Sequence, residues 1–127
     1  MIFYNKRSAK RVLIAGCRDF NDYGFAKKYI DYYLSDIRKQ YRIIIISGGA
    51  NGADKLGEHF ADENKMKCEY CYPDWEKYGK SAGPRRNFEM VKKSDYIICF
   101  WDGKSRGTKS TIEFAQKLQK PLRIKYI

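Results

Sequence analysis

The run Arg42–Ser47 (RIIIIS) narrows the folds open to this chain more than any other stretch. Four consecutive isoleucines leave no polar face, and β-branched side chains favour an extended backbone. Such a strand must be covered on both sides, which describes a central strand of a parallel sheet with helices above and below. The next residues, Ser47-Gly48-Gly49-Ala50-Asn51-Gly52-Ala53-Asp54, form a glycine-rich turn. A helix over Gly52–Asn64 follows, with its apolar stripe at Ala53, Leu56, Gly57, Phe60 and Ala61.

The same alternation runs through the whole chain. Arg11–Gly16 (RVLIAG) reads as a buried strand, and Phe25–Lys39 as a helix striped by Ala26, Tyr29, Ile30, Tyr33, Leu34 and Ile37. Lys67–Tyr72 reads as a third strand and Pro73–Ala82 as a loop rich in aromatic and polar residues. Gly83-Pro84 opens a helix to about Lys93, proline being well placed in a first turn. Asp95–Trp101 is the fourth strand, Asp102–Gly107 a polar loop, Thr108–Gln119 the last helix and Pro121–Ile127 a basic final strand suited to an edge. The order βαβαβαβαβ predicts a Rossmann-like α/β fold: one domain over residues 1–127, a mainly parallel five-stranded sheet, helices on both faces. Ligands of such sheets bind beyond the C-terminal strand ends, where the strand order switches.

Composition removes several functional classes. With 127 residues, 43% hydrophobic and 16% aromatic, the chain has enough apolar surface for a core. No apolar run approaches the roughly 20 residues of a membrane span, and the apolar run behind the basic segment Met1–Arg11 is too short for a signal peptide. A cytoplasmic location is therefore expected, with Cys17, Cys68, Cys71 and Cys99 reduced. Cys68 and Cys71 make a CxxC, but residues three apart on a strand face opposite ways. With a single histidine, His59, and no second pair, neither a metal site nor a cofactor is expected. His59 reads as an ordinary exposed helix residue. The net charge of +11, from 26 Lys+Arg against 15 Asp+Glu, favours nucleotides, nucleic acid or acidic surfaces, unless it only solubilises.

Four loops fall at the predicted ligand-binding end. In the first, Gly16 permits close backbone approach, Arg18 can meet a phosphate and Phe20 can stack on a base. In the second, Ser47, Gly48, Gly49, Asn51 and Gly52 place a helix start at the crevice, ready for phosphate or ribose. Asp54 there either accepts from a ribose hydroxyl or stabilises the helix start. In the third, Arg85, Arg86 and Asn87 set guanidinium groups at a helix start. A cation there is unfavourable unless an anion joins it. Trp75 and Tyr78 are either a stacking lid or packing beneath the loop. In the fourth, Gly107 and Thr108 open a helix, Thr108 serving as its N-cap and the backbone donors holding a second phosphate.

Taken in order, GCRDF (Gly16–Phe20), SGGANGAD (Ser47–Asp54), DWEKYGKSAGPRRNFEM (Asp74–Met90) and GKSRGTKSTI (Gly103–Ile112) resemble the YspA-related branch of the SLOG superfamily. That superfamily also holds the DNA-processing protein Smf/DprA and the LOG cytokinin-activating enzymes. Cys17 stands where the branch usually has serine. The resemblance implies a Rossmann-like fold and a nucleotide-derived ligand. LOG enzymes are phosphoribohydrolases, and the arginine of their R-K-x-x-M motif is similar to Arg86. Where their P-G-G-x-G-T-x-x-E motif carries the catalytic glutamate, this chain has Thr111. Glu113 lies about 200° further round the helix, and an i,i+4 pair with Lys117 explains it.

Three functions follow. The first is binding of a nucleotide or ADP-ribose-derived ligand, such as a signalling nucleotide, to sense or sequester it. The second is LOG-like N-glycosidase activity, for which Arg86 and Asp54 are the candidate catalytic residues. The third is Smf/DprA-like binding of single-stranded nucleic acid, which the positive charge favours. Because SLOG proteins commonly pair, the resemblance also implies a homo-oligomer, and the tyrosines of the first helix supply either core or its interface.

Overall fold

The computed structural model describes residues 7–127, so most of the basic leading segment lies outside the described residues. The RIIIIS run is strand β2 (Arg42–Ser47), and its residues from Ile43 onward are buried. It pairs in parallel with β1 (Ala9–Gly16), where Leu13 lies opposite Ile46, and with β3 (Lys67–Tyr70). On the other side of β1 come β4 (Tyr96–Trp101) and then β5 (Leu122–Tyr126), also parallel. The order β3-β2-β1-β4-β5 puts β3 and β5 at the edges and the topological switch between β1 and β4.

Alternation along β1 divides the core. Val12 and Ile14 point to one face, against Ala26, Ile30 and Leu34 of α1 (Tyr23–Gln40) and Leu56 and Phe60 of α2 (Ala53–Glu63). Leu13 and Ala15 point to the other, against Met90 and Val91 of α4 (Ala82–Lys93) and Ile112 and Ala115 of α5 (Arg106–Lys117). Tyr29 and Tyr33 pack against the first of these clusters, which takes up both as core-side residues of α1. Cys68 joins the first cluster and Cys71 the second, so the CxxC thiols sit on opposite faces of the sheet and all four cysteines are free. His59 is exposed and stacks on Tyr23 at 3.7 Å.

Three local expectations need correction. The third strand stops at Tyr70, because its partner β2 ends at Ser47, opposite Tyr70, and only the Cys71 N–H still reaches Ser47 O, at 2.9 Å. The stretch expected as the Pro73–Ala82 loop contains α3 (Trp75–Tyr78), and a 3-10 turn over Gly79–Ser81 leads straight into α4. Asp74 nucleates α3 by accepting the Lys77 N–H at 3.0 Å, and Gly79 at φ +54° ends it. The last helix begins at Arg106 with Ser105 as its N-cap residue; Thr108 is buried in its first turn. No helix among the described residues is long and apolar enough to cross a membrane.

Candidate functional site

A crevice of about 570 Å³ opens over the C-terminal ends of β1 and β4, at the switch in strand order. One wall comes from the loop after β1. A Cβ on Gly16 would fall on the carbonyl oxygen of Phe100, so glycine is required where β1 and β4 end side by side. Cys17 donates its N–H to Phe100 O at 3.1 Å, and its own carbonyl accepts from Phe20 N–H (3.3 Å) and Ala53 N–H (3.1 Å). Gly52, at φ +78°, packs against that same carbonyl.

The glycine-rich loop after β2 therefore spends much of its donor capacity within the protein. The first amide of α2 is taken by Cys17. Gly49 N–H donates to Ser47 Oγ at 3.0 Å, and Ser47 Oγ donates to Glu58 Oε2 at 2.6 Å. Ser47, Gly48, Gly49, Asn51 and Gly52 do not line the crevice; Ala50 and Asp54 represent this loop there. Asp54 is buried and accepts the Ala50 N–H on Oδ2 at 3.1 Å. Burial pushes its pKa up to about 6, against the opposing pull of the Ala50 N–H and of the Arg86 charge.

Arg86, from the first turns of α4, holds this loop in place. Its Nη1 donates to Gly48 O at 2.6 Å and to Cys71 O at 3.4 Å, and its Nε donates to Asn87 Oδ1 at 2.9 Å. A side chain on Gly48 would collide with both Arg86 Nη1 and Asp54 Oδ2. Burial lowers the Arg86 pKa, Asp54 opposes that shift, and Arg18 adds repulsion from across the crevice. Arg85 points elsewhere: its Nε donates to Ser81 Oγ at 3.1 Å and its guanidinium lies 4.4 Å over the Tyr78 ring, outside the crevice. Phe20 is likewise outside, stacked on Phe100 at 5.2 Å under the start of α1.

The opposite wall is the start of α5. Asp102 Oδ1 accepts the N–H groups of Lys104 and Ser105, both at 2.8 Å, and these bonds hold its pKa below the ordinary value. Trp101 Nε1 donates to Ser105 O at 3.1 Å. No side chain caps the helix, and the backbone N–H groups of Arg106, Gly107 and Thr108 have no acceptor among the described residues. An uncapped first turn that lines a crevice is a phosphate-sized donor set on the positive end of a helix dipole. Arg18 and Arg106 are exposed beside it, and Trp75, 55% exposed, stands at the mouth with its ring against Gly83.

The structure thus brings Gly16, Arg18, Asp54, Trp75, Arg86, Asn87, Gly107 and Thr108 together in one crevice. Ser105, Arg106 and Ser110 line it too, and the sequence reading missed them. Their signal was Asp102 three residues before Ser105, an Asx turn feeding a helix start. Thr111 lies in the floor, its Oγ1 donating to Gly107 O at 3.3 Å, whereas Glu113 is exposed and outside. The crevice carboxylates are Asp19, Asp54 and Asp102.

Residues 10–78 match the model of the YspA, cpYpsA-related SLOG family. The chain belongs to this SLOG family. Across 120 residues this SLOG chain is 34% identical to the Gene 61 protein of Mycobacterium phage D29, covering 89% of itself and 94% of that protein. Its fold superimposes on DNA processing protein A from Helicobacter pylori with a TM-score of 0.68 at 23% identity, over 91% of this chain and 64% of the other. DprA from Streptococcus pneumoniae gives 0.67 at 18%, over 96% and 51%, and the protein TM1055 gives 0.64 at 18%, over 89% and 72%. The SLOG chain therefore spans about two-thirds and about half the length of the two DNA-processing proteins. The Helicobacter pylori protein binds single-stranded DNA.

Proposed function

We propose that this SLOG protein binds single-stranded nucleic acid, with a backbone phosphate seated on the open start of α5 and a base stacked on Trp75. This puts first the reading that the sequence alone ranks third. The observation that carries it is the pairing, in one crevice, of unused backbone donors at Arg106, Gly107 and Thr108 with an exposed indole. Those two elements match the phosphate and the base of one nucleotide unit. The +11 charge and the single-strand binding of a structural neighbour with the same fold support a polymeric ligand. Of the crevice carboxylates, Asp102 and Asp54 are turned to backbone donors of their own loops, and Asp19 is exposed next to Arg18.

The test is fluorescence anisotropy of a labelled oligothymidylate at low salt. Binding should weaken with salt at a slope of about −0.7 per phosphate contacted, and Trp75→Ala and Arg106→Ala should each weaken it further. No anisotropy change at low salt and high protein concentration would sink the proposal.

A second reading has its own support. The crevice volume of about 570 Å³ suits one mononucleotide or ADP-ribose-type ligand, being within the range of about 300–1,000 Å³ for small-molecule sites. Calorimetry against a nucleotide panel, with chromatography of the mixture, separates holding such a ligand from cleaving it. Cleavage would fall to Asp54, since Thr111 occupies the LOG glutamate position.

A further inference from the structure

Beyond Pro84 and Arg86, which the two cavities share, a second groove of about 630 Å³ continues from the crevice. Its walls are aromatic: Tyr72 and Tyr78 on one side, Phe88 and Phe114 on the other, the latter two packed edge to face at 5.3 Å. Tyr72 leads on to Tyr70. The two rings are parallel within 4°, with centroids 5.8 Å apart, and they are 68% and 46% exposed. They sit two residues apart where edge strand β3 ends, so both side chains fall on the same side of the chain. No further strand among the described residues covers that edge.

Exposed aromatic surface of this extent calls for a partner. The edge of the Tyr72 ring rests against Gly49, where an added Cβ would come within 2.5 Å of Tyr72 Cε1. That contact positions the ring without hiding it. Cations accompany the row: Arg85 lies 4.4 Å over Tyr78, Lys77 lies 5.1 Å over the same ring, and Arg86 lines both cavities. Of the two acidic groups in the groove, Asp74 is occupied as the cap of α3, and Glu89 is exposed on α4.

We infer that Tyr70, Tyr72 and Tyr78 form a base-stacking track that extends the crevice, so that the ligand is a run of several linked nucleotides. The inference rests on the single-strand reading of the crevice and adds the direction of the strand, outward over α4 toward the β3 edge. Stacking on successive rings tolerates any base, and the neighbouring guanidinium groups meet the backbone between bases.

Length dependence tests it. Thymidine 5′-phosphate, (dT)4 and (dT)12 are titrated into the wild type, Tyr70→Ala, Tyr72→Ala and Tyr72→Phe. Affinity should rise from the mononucleotide to (dT)12. Tyr70→Ala and Tyr72→Ala should each weaken (dT)12 by about fivefold or more, from the usual loss of one base–aromatic stack. Both should leave thymidine 5′-phosphate unchanged, and Tyr72→Phe should retain wild-type binding. Equal (dT)12 affinity in wild type and both alanine variants overturns the track. So does a wild type that binds (dT)12 no tighter than the mononucleotide, which leaves the crevice as a nucleotide site and removes its extension. A wild type that binds none of the three overturns the crevice reading and the track together.

Discussion

Replacing Asp54 by asparagine should make the protein more stable at pH 8 and leave it nearly unchanged at pH 4. Asp54 is 6% exposed, and burial raises its pKa from 3.8 to about 6. The folded state thus holds this proton more tightly than the unfolded chain does. Its contribution to stability is most favourable below about pH 3.8, declines as the pH rises through about 6 and is constant above that. Two pKa units at 1.36 kcal/mol each set the cost of the ionised form at about 3 kcal/mol. Asparagine has nearly the shape of the protonated acid and still presents an Oδ1 to the Ala50 N–H. The expected gain at pH 8 is therefore about 3 kcal/mol, or about 10 °C in Tm for a chain of this size. Thermal unfolding of both proteins by circular dichroism at pH 4, 6 and 8 checks it. A gap that does not change with pH, or a wild type at least as stable as the variant at pH 8, would refute the reasoning.

The same proton should govern ligand affinity. Protonation of Asp54 removes a negative charge from the crevice, so oligothymidylate binding at constant ionic strength should strengthen as the pH falls from 7.5 to 5.5, and Asp54→Asn should flatten that profile. Gly107→Pro deletes one of the open amides in the first helical turn, at a position that gives up no intrahelical hydrogen bond and where an added Cβ meets nothing within 4 Å. It should weaken oligonucleotide binding about tenfold, as expected for one hydrogen bond to a charged group, while the unfolding midpoint stays within a degree or two. Gly52→Ala puts a Cβ onto the Cys17 carbonyl at φ +78°; urea unfolding should show a loss of at least about 2 kcal/mol, and an unchanged midpoint would contradict the assigned packing.

The sheet and its four long helices were legible because continuous branched runs and helical stripes are local signals, written in the residues that form each element. The Ile43–Ile46 run led directly to a buried central strand. The four-residue helix Trp75–Tyr78 was not legible, since one turn is too short to show a period. At the site the limits were of another kind. Three glycines announced a special backbone after β2, but which groups take up its amides depends on the Cys17 carbonyl, more than thirty residues earlier in the chain. Arg85 and Arg86 are adjacent in sequence, yet the helix sends one outward over Tyr78 and the other inward to Gly48. Open donors at the start of the last helix were legible from Gly107 and Thr108, but which amides they are followed only from the helix beginning at Arg106 and not at Thr108.

The Cys17 peptide has a mechanical consequence. Its amide is bonded to the end of β4 and its carbonyl to the first amide of α2, so two strand ends and the start of a helix are clamped at one point. A backbone fastened on both sides cannot yield toward a ligand. The facing wall is held by side chains instead: the Trp101 indole bonds to Ser105 O, and Asp102 accepts the Lys104 and Ser105 amides. The Cys17 peptide thus fixes the spacing of one side of the crevice: it ties the end of β4 to the start of α2, so the loops after β1 and β2 are held at one distance from the sheet.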